Sequence, residues 1–115
     1  MSNAVAEKTK KKGLTKGFTS VQARLTAEDL EKMKRVEEAT FRKRKDLIRG
    51  AIRWLPTSGC TIEKAEKGYL SDSRQFEVLP REKEILCAIA EANGVSITDT
   101  LRWIINNLDW ISEEI

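Results

Sequence analysis

The chain has 115 residues, 40% of them hydrophobic and 34% charged, with a formal net charge of +3. That length holds about one small domain and leaves no room for a separate catalytic domain beside it. No apolar run approaches the roughly 20 residues of a membrane-spanning helix, and the lysine-rich start is not followed by the apolar stretch of a secretory signal, so a cytoplasmic protein with no membrane contact is expected.

The charge is divided unevenly along the chain. Residues 1 to 55 hold 15 Lys and Arg against 7 Asp and Glu, whereas residues 56 to 115 hold 6 against 11. The basic half is the one suited to a polyanion. Within it "KTKKKGLTKG" combines few apolar residues with two glycines, so residues 1–17 read as a disordered basic arm, serving either nucleic-acid contact or solubility. Cys60 and Cys87 have neither metal-site spacing nor the density of a disulfide scaffold, and they fit a reducing compartment as plain small residues.

The first element is a strand at Ser20 to Leu25, which alternates polar Ser20, Gln22 and Arg24 with apolar Val21, Ala23 and Leu25. Thr26 is placed to cap a helix, with Asp29 completing a capping-box pattern. Leu30, Met33 and Val36 give that helix one apolar stripe. "ATFRKRK" interrupts the stripe, and a second helix follows with Leu47, Ile48, Ala51, Ile52 and Leu55 on one face and Pro56 as its expected stop. Residues 56–72, with Pro, two Gly and no sustained periodicity, read as a linker.

The pattern then returns. "SRQFEV" alternates, Pro80 opens a helix striped by Ile85, Leu86, Ile89 and Ala90, and Gly94 is a natural helix stop. Ser96 with Asp99 forms another capping box, and Leu101, Ile104, Ile105 and Leu108 make the last stripe. Trp54, Trp103 and Trp110 lie on or beside the stripes and read as core or interface residues. Gly50, inside a helix, suggests close packing against it.

Displacing the first copy by 53 residues pairs Ser20 with Ser73, Gln22 with Gln75, Met33 with Leu86, Val36 with Ile89, Ile48 with Leu101 and Ile52 with Ile105. A divergent internal repeat accounts for this. One short strand with two amphipathic helices cannot bury both helix stripes or satisfy both strand edges, but two copies can, if the strands pair antiparallel and the four helices close over one face.

"VQARLTAEDLEKM" and "DLIRGAI" in the first copy, and "AEANGVSITDTLRWII" in the second, resemble the ribbon-helix-helix family, the Arc and MetJ type of DNA-binding protein, which lays a two-stranded ribbon in the major groove. The expected fold is mainly α with a two-stranded antiparallel ribbon: a basic arm at 1–17, repeat 1 at 18–55, a linker at 56–72 and repeat 2 at 73–115. Two copies in one chain suggest an intramolecular pseudo-dimer, monomeric in solution or in a higher assembly on DNA. The 17-residue linker can span up to roughly 56 Å, ample for that closure.

Strand alternation puts Ser20, Gln22 and Arg24 together on one face if Val21, Ala23 and Leu25 face the helices. Arginine matches the guanine O6 and N7 edge, glutamine pairs with adenine, and serine is permissive. The resemblance implies base reading at these positions. In the second strand, burying Phe76 and Val78 turns Ser73, Gln75 and Glu77 outward and Arg74 inward at a strand end. Glu77, where the first copy has Arg24, can accept from cytosine N4 but is repelled by phosphate, so the two strands are expected to read different bases.

The resemblance also implies phosphate binding where each second helix begins. Arg42, Lys43, Arg44 and Lys45 supply charge there in the first copy; Ser96 and Thr98 supply hydroxyls in the second, a weaker clamp. The first copy departs from the family in having Phe41 where a turn glycine is usual and Lys43 where a Ser or Thr cap is usual.

No histidine, glycine-rich phosphate loop or thiol with a partner base is present, so neither an enzyme nor a cofactor or metal site is expected. The expected function is sequence-specific binding of double-stranded DNA, as a transcriptional repressor or a plasmid or viral accessory protein. One alternative is an antitoxin or scaffold that mainly binds a protein partner, such as a toxin, relaxase or polymerase. The other is helix-turn-helix binding by the second half, against which Thr100 and the early apolar turn of "SITDTLRWII" count.

Overall fold

A computed structural model describes residues 16–64 and 72–115. The basic arm, apart from Lys16 and Gly17, and residues 65–71 of the expected linker lie outside the described residues. The elements run β1 (Thr19–Leu25), α1 (Ala27–Thr40), α2 (Arg44–Ser58), β2 (Asp72–Val78), α3 (Pro80–Asn93), α4 (Ile97–Asn106) and α5 (Leu108–Ile111). Among the described residues the fold is mainly helical, with one antiparallel pair of strands.

The register sets Gln22 against Gln75, Ser20 against Glu77 and Arg24 against Ser73. Val21, Ala23, Leu25, Phe76 and Val78 are buried on the other face. They join one apolar cluster with Met33, Val36, Leu86 and the stripes of α2 and α4. β1 packs against α4, and β2 packs against α2. The driving force is this shared burial, since a two-stranded ribbon is not stable by itself.

Local chemistry fixes the helix ends. Thr26 and Ser96 each accept at 3.0 Å from the N–H three residues on, and Asp29 and Asp99 return the bond to the cap N–H. Pro80 is at the first turn of α3, and Gly94 ends that helix in the left-handed region at φ 67°. Phe41 does the same for α1 at φ 57°. A side chain there meets the carbonyl crowding that glycine avoids.

Pro56 does not stop α2, contrary to expectation: the helix runs on to Ser58 and ends at Gly59, whose φ is 74°. Proline removes only the bond that the Ile52 carbonyl would accept, a small loss in a last turn. Thr57 and Ser58 hydroxyls donate to the Trp54 and Leu55 carbonyls at 2.9 and 2.7 Å. Nor is the described part of the expected linker peripheral. Ile62 is buried in the core, and its N–H donates to Asn93 Oδ1 at 2.9 Å.

Two carboxylates are buried with partners from across the fold. Asp29 Oδ2 accepts from Arg102 Nε at 2.7 Å, and its Oδ1 from Asn106 Nδ2 at 2.9 Å. Glu82 Oε1 accepts from Arg49 Nε at 2.9 Å and from the Leu79 N–H at 2.8 Å. Its Oε2 is buried 3.7 Å from Arg53 Nε, beyond hydrogen-bonding reach. Burial alone would raise both carboxyls; the Thr26 N–H, Arg102 and Asn106 outweigh it at Asp29, as do Arg49, the Leu79 N–H and Arg53 at Glu82, so both sit below their ordinary values.

The C-terminal turn, α5 and the residues after it, belongs to the packed structure. Ile111 is fully buried, and a methyl group on Gly50 would come 3.0 Å from Ile115 Cδ1, so this glycine admits the chain end. Trp110 stands edge-on to Trp54 and Trp103, with ring centroids 5.5 and 6.3 Å apart.

Candidate nucleic-acid interface

The pleat and the burial of Phe76 and Val78 put Ser20, Gln22, Arg24, Ser73, Gln75 and Glu77 on the outer face of the ribbon, as the alternation predicts. They form three cross-strand pairs. Gln22 and Gln75 are exposed at the centre; Arg24 and Ser73 are exposed toward one end, and Ser20 and Glu77 are half-buried toward the other. Arg74, assigned inward at a strand end, is exposed, consistent with a long stem that carries its charge to solvent.

α2 begins at Arg44, with Lys43 as a cap that makes no side-chain hydrogen bond to it. The four cations of this turn diverge in role. Arg42 Nη1 donates to the Ser112 carbonyl at 3.1 Å, lacing the turn to the C-terminal segment. Arg44 Nε meets Glu37 at 2.9 Å. Lys45 Nζ meets Glu77 Oε1 at 3.1 Å and lies 4.0 Å above the centre of the Phe18 ring, with the Arg49 guanidinium 4.9 Å from the same ring. Lys43 is exposed. Glu37 and Glu77 thus relieve part of the charge density that the sequence alone leaves to an outside anion.

Lys45 and Glu77 join the turn to the ribbon: the first turn of α2 and the outer face form one continuous surface. At the start of α4, Ser96 is exposed and its oxygen is taken by the cap, which leaves its O–H to donate; Thr98 is half-buried. Phe18 escaped sequence reading because a single aromatic before a strand belongs to no periodic pattern.

Elsewhere, no residue of α4 is fully exposed, and its partly exposed polar residues are Thr98, Asp99 and Asn106. Thr100 is fully buried in it, its hydroxyl satisfied by the Ser96 carbonyl at 3.0 Å. An open groove of about 850 Å³ between α1 and the α4–α5 end is lined by Lys32, Arg35, Val36, Ile105 and Asp109 among others, and by no ribbon residue. Among the described residues no group of acidic or Cys side chains is arranged to hold a metal ion, and no helix is long and apolar enough to cross a membrane. No protein-family model, curated protein or solved structure matches the chain.

Proposed function

We propose that the chain is a tandem ribbon-helix-helix protein whose two halves form an intramolecular pseudo-dimer, and that it binds double-stranded DNA sequence-specifically through its ribbon. The observation that carries the reading is the register. It gathers six hydrogen-bonding side chains on one open face, with Gln22 opposite Gln75, its own counterpart under the 53-residue displacement. A two-stranded ribbon of this kind has the width of the major groove and presents side chains chemically matched to base edges.

The same displacement relates other features. Asp29 and Arg102 correspond to Glu82 and Arg49, and the left-handed caps Phe41 and Gly94 correspond, as do the helix caps Lys43 and Ser96. Each strand packs on the second helix of the other half. A dyad through the centre of the ribbon would produce these relations.

The two ends of the reading face are chemically unequal. Lys45 beside Glu77 corresponds to Thr98 and Arg24, so cation and anion at one end become hydroxyl and cation at the other. The site read should lack a palindrome. Arg24 reads guanine, Gln22 and Gln75 read adenine, and Lys43 with Arg44 contacts phosphate. Repression of transcription follows from occupancy of such a site. Selection of bound duplexes from a random pool tests the proposal: an enriched, asymmetric motif supports it, and a pool that stays random after several rounds contradicts it.

A further inference from the structure

We propose that Phe41 is a DNA-contacting residue whose ring seats on the apolar deoxyribose edge of the duplex, beside the phosphates held by Lys43 and Arg44. This rests on the DNA-binding reading above and deepens it by one named side chain. The ring is 94% exposed, and Phe41 is the one non-glycine residue with a positive φ among the described residues, at 57°. A lone exposed apolar side chain is ordinary on a protein surface. One that also holds a left-handed backbone is costly twice over, in hydration and in strain, and such outliers gather where a ligand is gripped. The counterpart turn shows what the backbone alone requires. Gly94 ends α3 as Phe41 ends α1, at φ 67°, and a side chain there would meet no atom within 4 Å. Glycine in that turn therefore serves the left-handed conformation and not a close approach, and Phe41 departs from it while its ring gains almost no burial within the fold.

Hydrogen bonds on both sides of Phe41 fix the turn that carries the ring. The Phe41 N–H donates to the Glu37 carbonyl at 2.9 Å, the Arg42 N–H to Thr40 Oγ1 at 3.3 Å, and Arg42 Nη1 to the Ser112 carbonyl at 3.1 Å. Two residues on, Lys43 is exposed at the start of α2, whose first turn adjoins the ribbon's outer face. A ring set beside cations fits a partner that is anionic and apolar at close quarters. A duplex backbone is both, with phosphate oxygens and the C–H edges of deoxyribose between them, and DNA-binding proteins combine apolar side chains with flanking cations in this way. A ring already held in place loses little freedom on docking. Since Gly94 has no ring to offer, the contact covers one flank of the site only.

The test measures affinity for a mixed-sequence duplex across a series of salt concentrations, with a urea titration of the free protein and hydroxyl-radical cleavage of the bound duplex, which reports covered sugars. Phe41→Gly and Phe41→Asn both accept a left-handed backbone, so each should raise the urea midpoint. Each is expected to weaken binding by roughly fivefold, the effect of losing about half the burial of a Phe side chain. The salt slope should not change, because no phosphate contact is lost. Phe41→Leu keeps the strain and an apolar surface, and should bind within about twofold of wild type. On the bound duplex, wild type should protect sugars at one flank that Phe41→Asn leaves open. Wild-type affinity in Phe41→Gly and Phe41→Asn overturns the contact and leaves the ring to a protein partner. A loss with a flatter salt slope also overturns it, since the cations would then have moved, as does a loss shared equally by Phe41→Leu. If wild type binds no duplex even at low salt, the DNA-binding reading fails and this contact with it. A random pool that yields no preferred duplex fails base reading alone, and the mixed-sequence comparison still decides the role of Phe41.

Discussion

Asp29 and Arg102, 73 positions apart, meet at 2.7 Å with both side chains buried, and buried Glu82 meets half-buried Arg49 at 2.9 Å in the positions 53 residues displaced from them. One pair ties the first turn of α1 to α4, and the other ties the first turn of α3 to α2. The bridges therefore report how these four helices are docked, and each carboxylate also bonds the cap N–H of its own helix.

Removing the arginine of such a pair leaves a buried carboxylate with neutral hydrogen-bond donors but without its counter-charge. Arg102→Met is expected to destabilise the fold by about 3–5 kcal/mol in a urea titration. Adding Asp29→Leu to it should recover most of that loss, since an apolar pair of similar volume is often neutral or better.

Asp29 and Glu82 both titrate below their ordinary values in the folded chain. A depressed carboxyl stabilises the fold above its unfolded pKa, and that contribution is lost as pH falls through the folded one. Stability should therefore fall as pH drops below about 4.5, where unfolded Glu begins to take up protons ahead of the folded chain. In Asp29→Asn with Glu82→Gln the fall should be shallower, as read from denaturation midpoints between about pH 6 and 3.

Phe41 stands in the left-handed region and is 94% exposed, so its ring contributes little burial against the strain. Phe41→Gly is expected to stabilise the fold by about 1 kcal/mol, a gain visible as a higher urea midpoint with unchanged slope.

The paired strands belong to one chain, which predicts a folded monomer at low micromolar concentration without DNA. Sedimentation at that concentration should return the 13.1 kDa chain mass. An obligate dimer would mean that the strands pair between two chains.

Period-two alternation makes the first strand's faces legible; in the second strand anchoring on Pro80 would reverse the faces, and the burial of Phe76 and Val78 decides the register. The capping boxes at Thr26 and Ser96 and the four helix stripes were legible for the same reason, being local patterns with a single structural use. Pro56 misled because a proline near the end of a helix removes only one bond, and Gly59, three positions later, supplies the left-handed residue that ends it. α5 is a single turn, too short to show a period. The bond of Lys45 to Glu77 was hidden because it joins positions 32 residues apart and exists only once α2 docks on β2. The contact of Arg42 with Ser112, 70 residues away, was hidden likewise. Charge clusters show where cations are; only tertiary docking decides which of them are already engaged.

Base reading by the ribbon is tested most directly by titrating wild type and Arg24→Ala, at one fixed salt concentration, against the selected duplex and a scrambled one. Arg24 is exposed on the outer face opposite Ser73, so its removal should leave the fold intact. The variant is expected to lose about 1–3 kcal/mol of discrimination, roughly a five- to 150-fold drop in the affinity ratio, with binding to the scrambled duplex much less affected. An unchanged ratio would contradict base reading by this face.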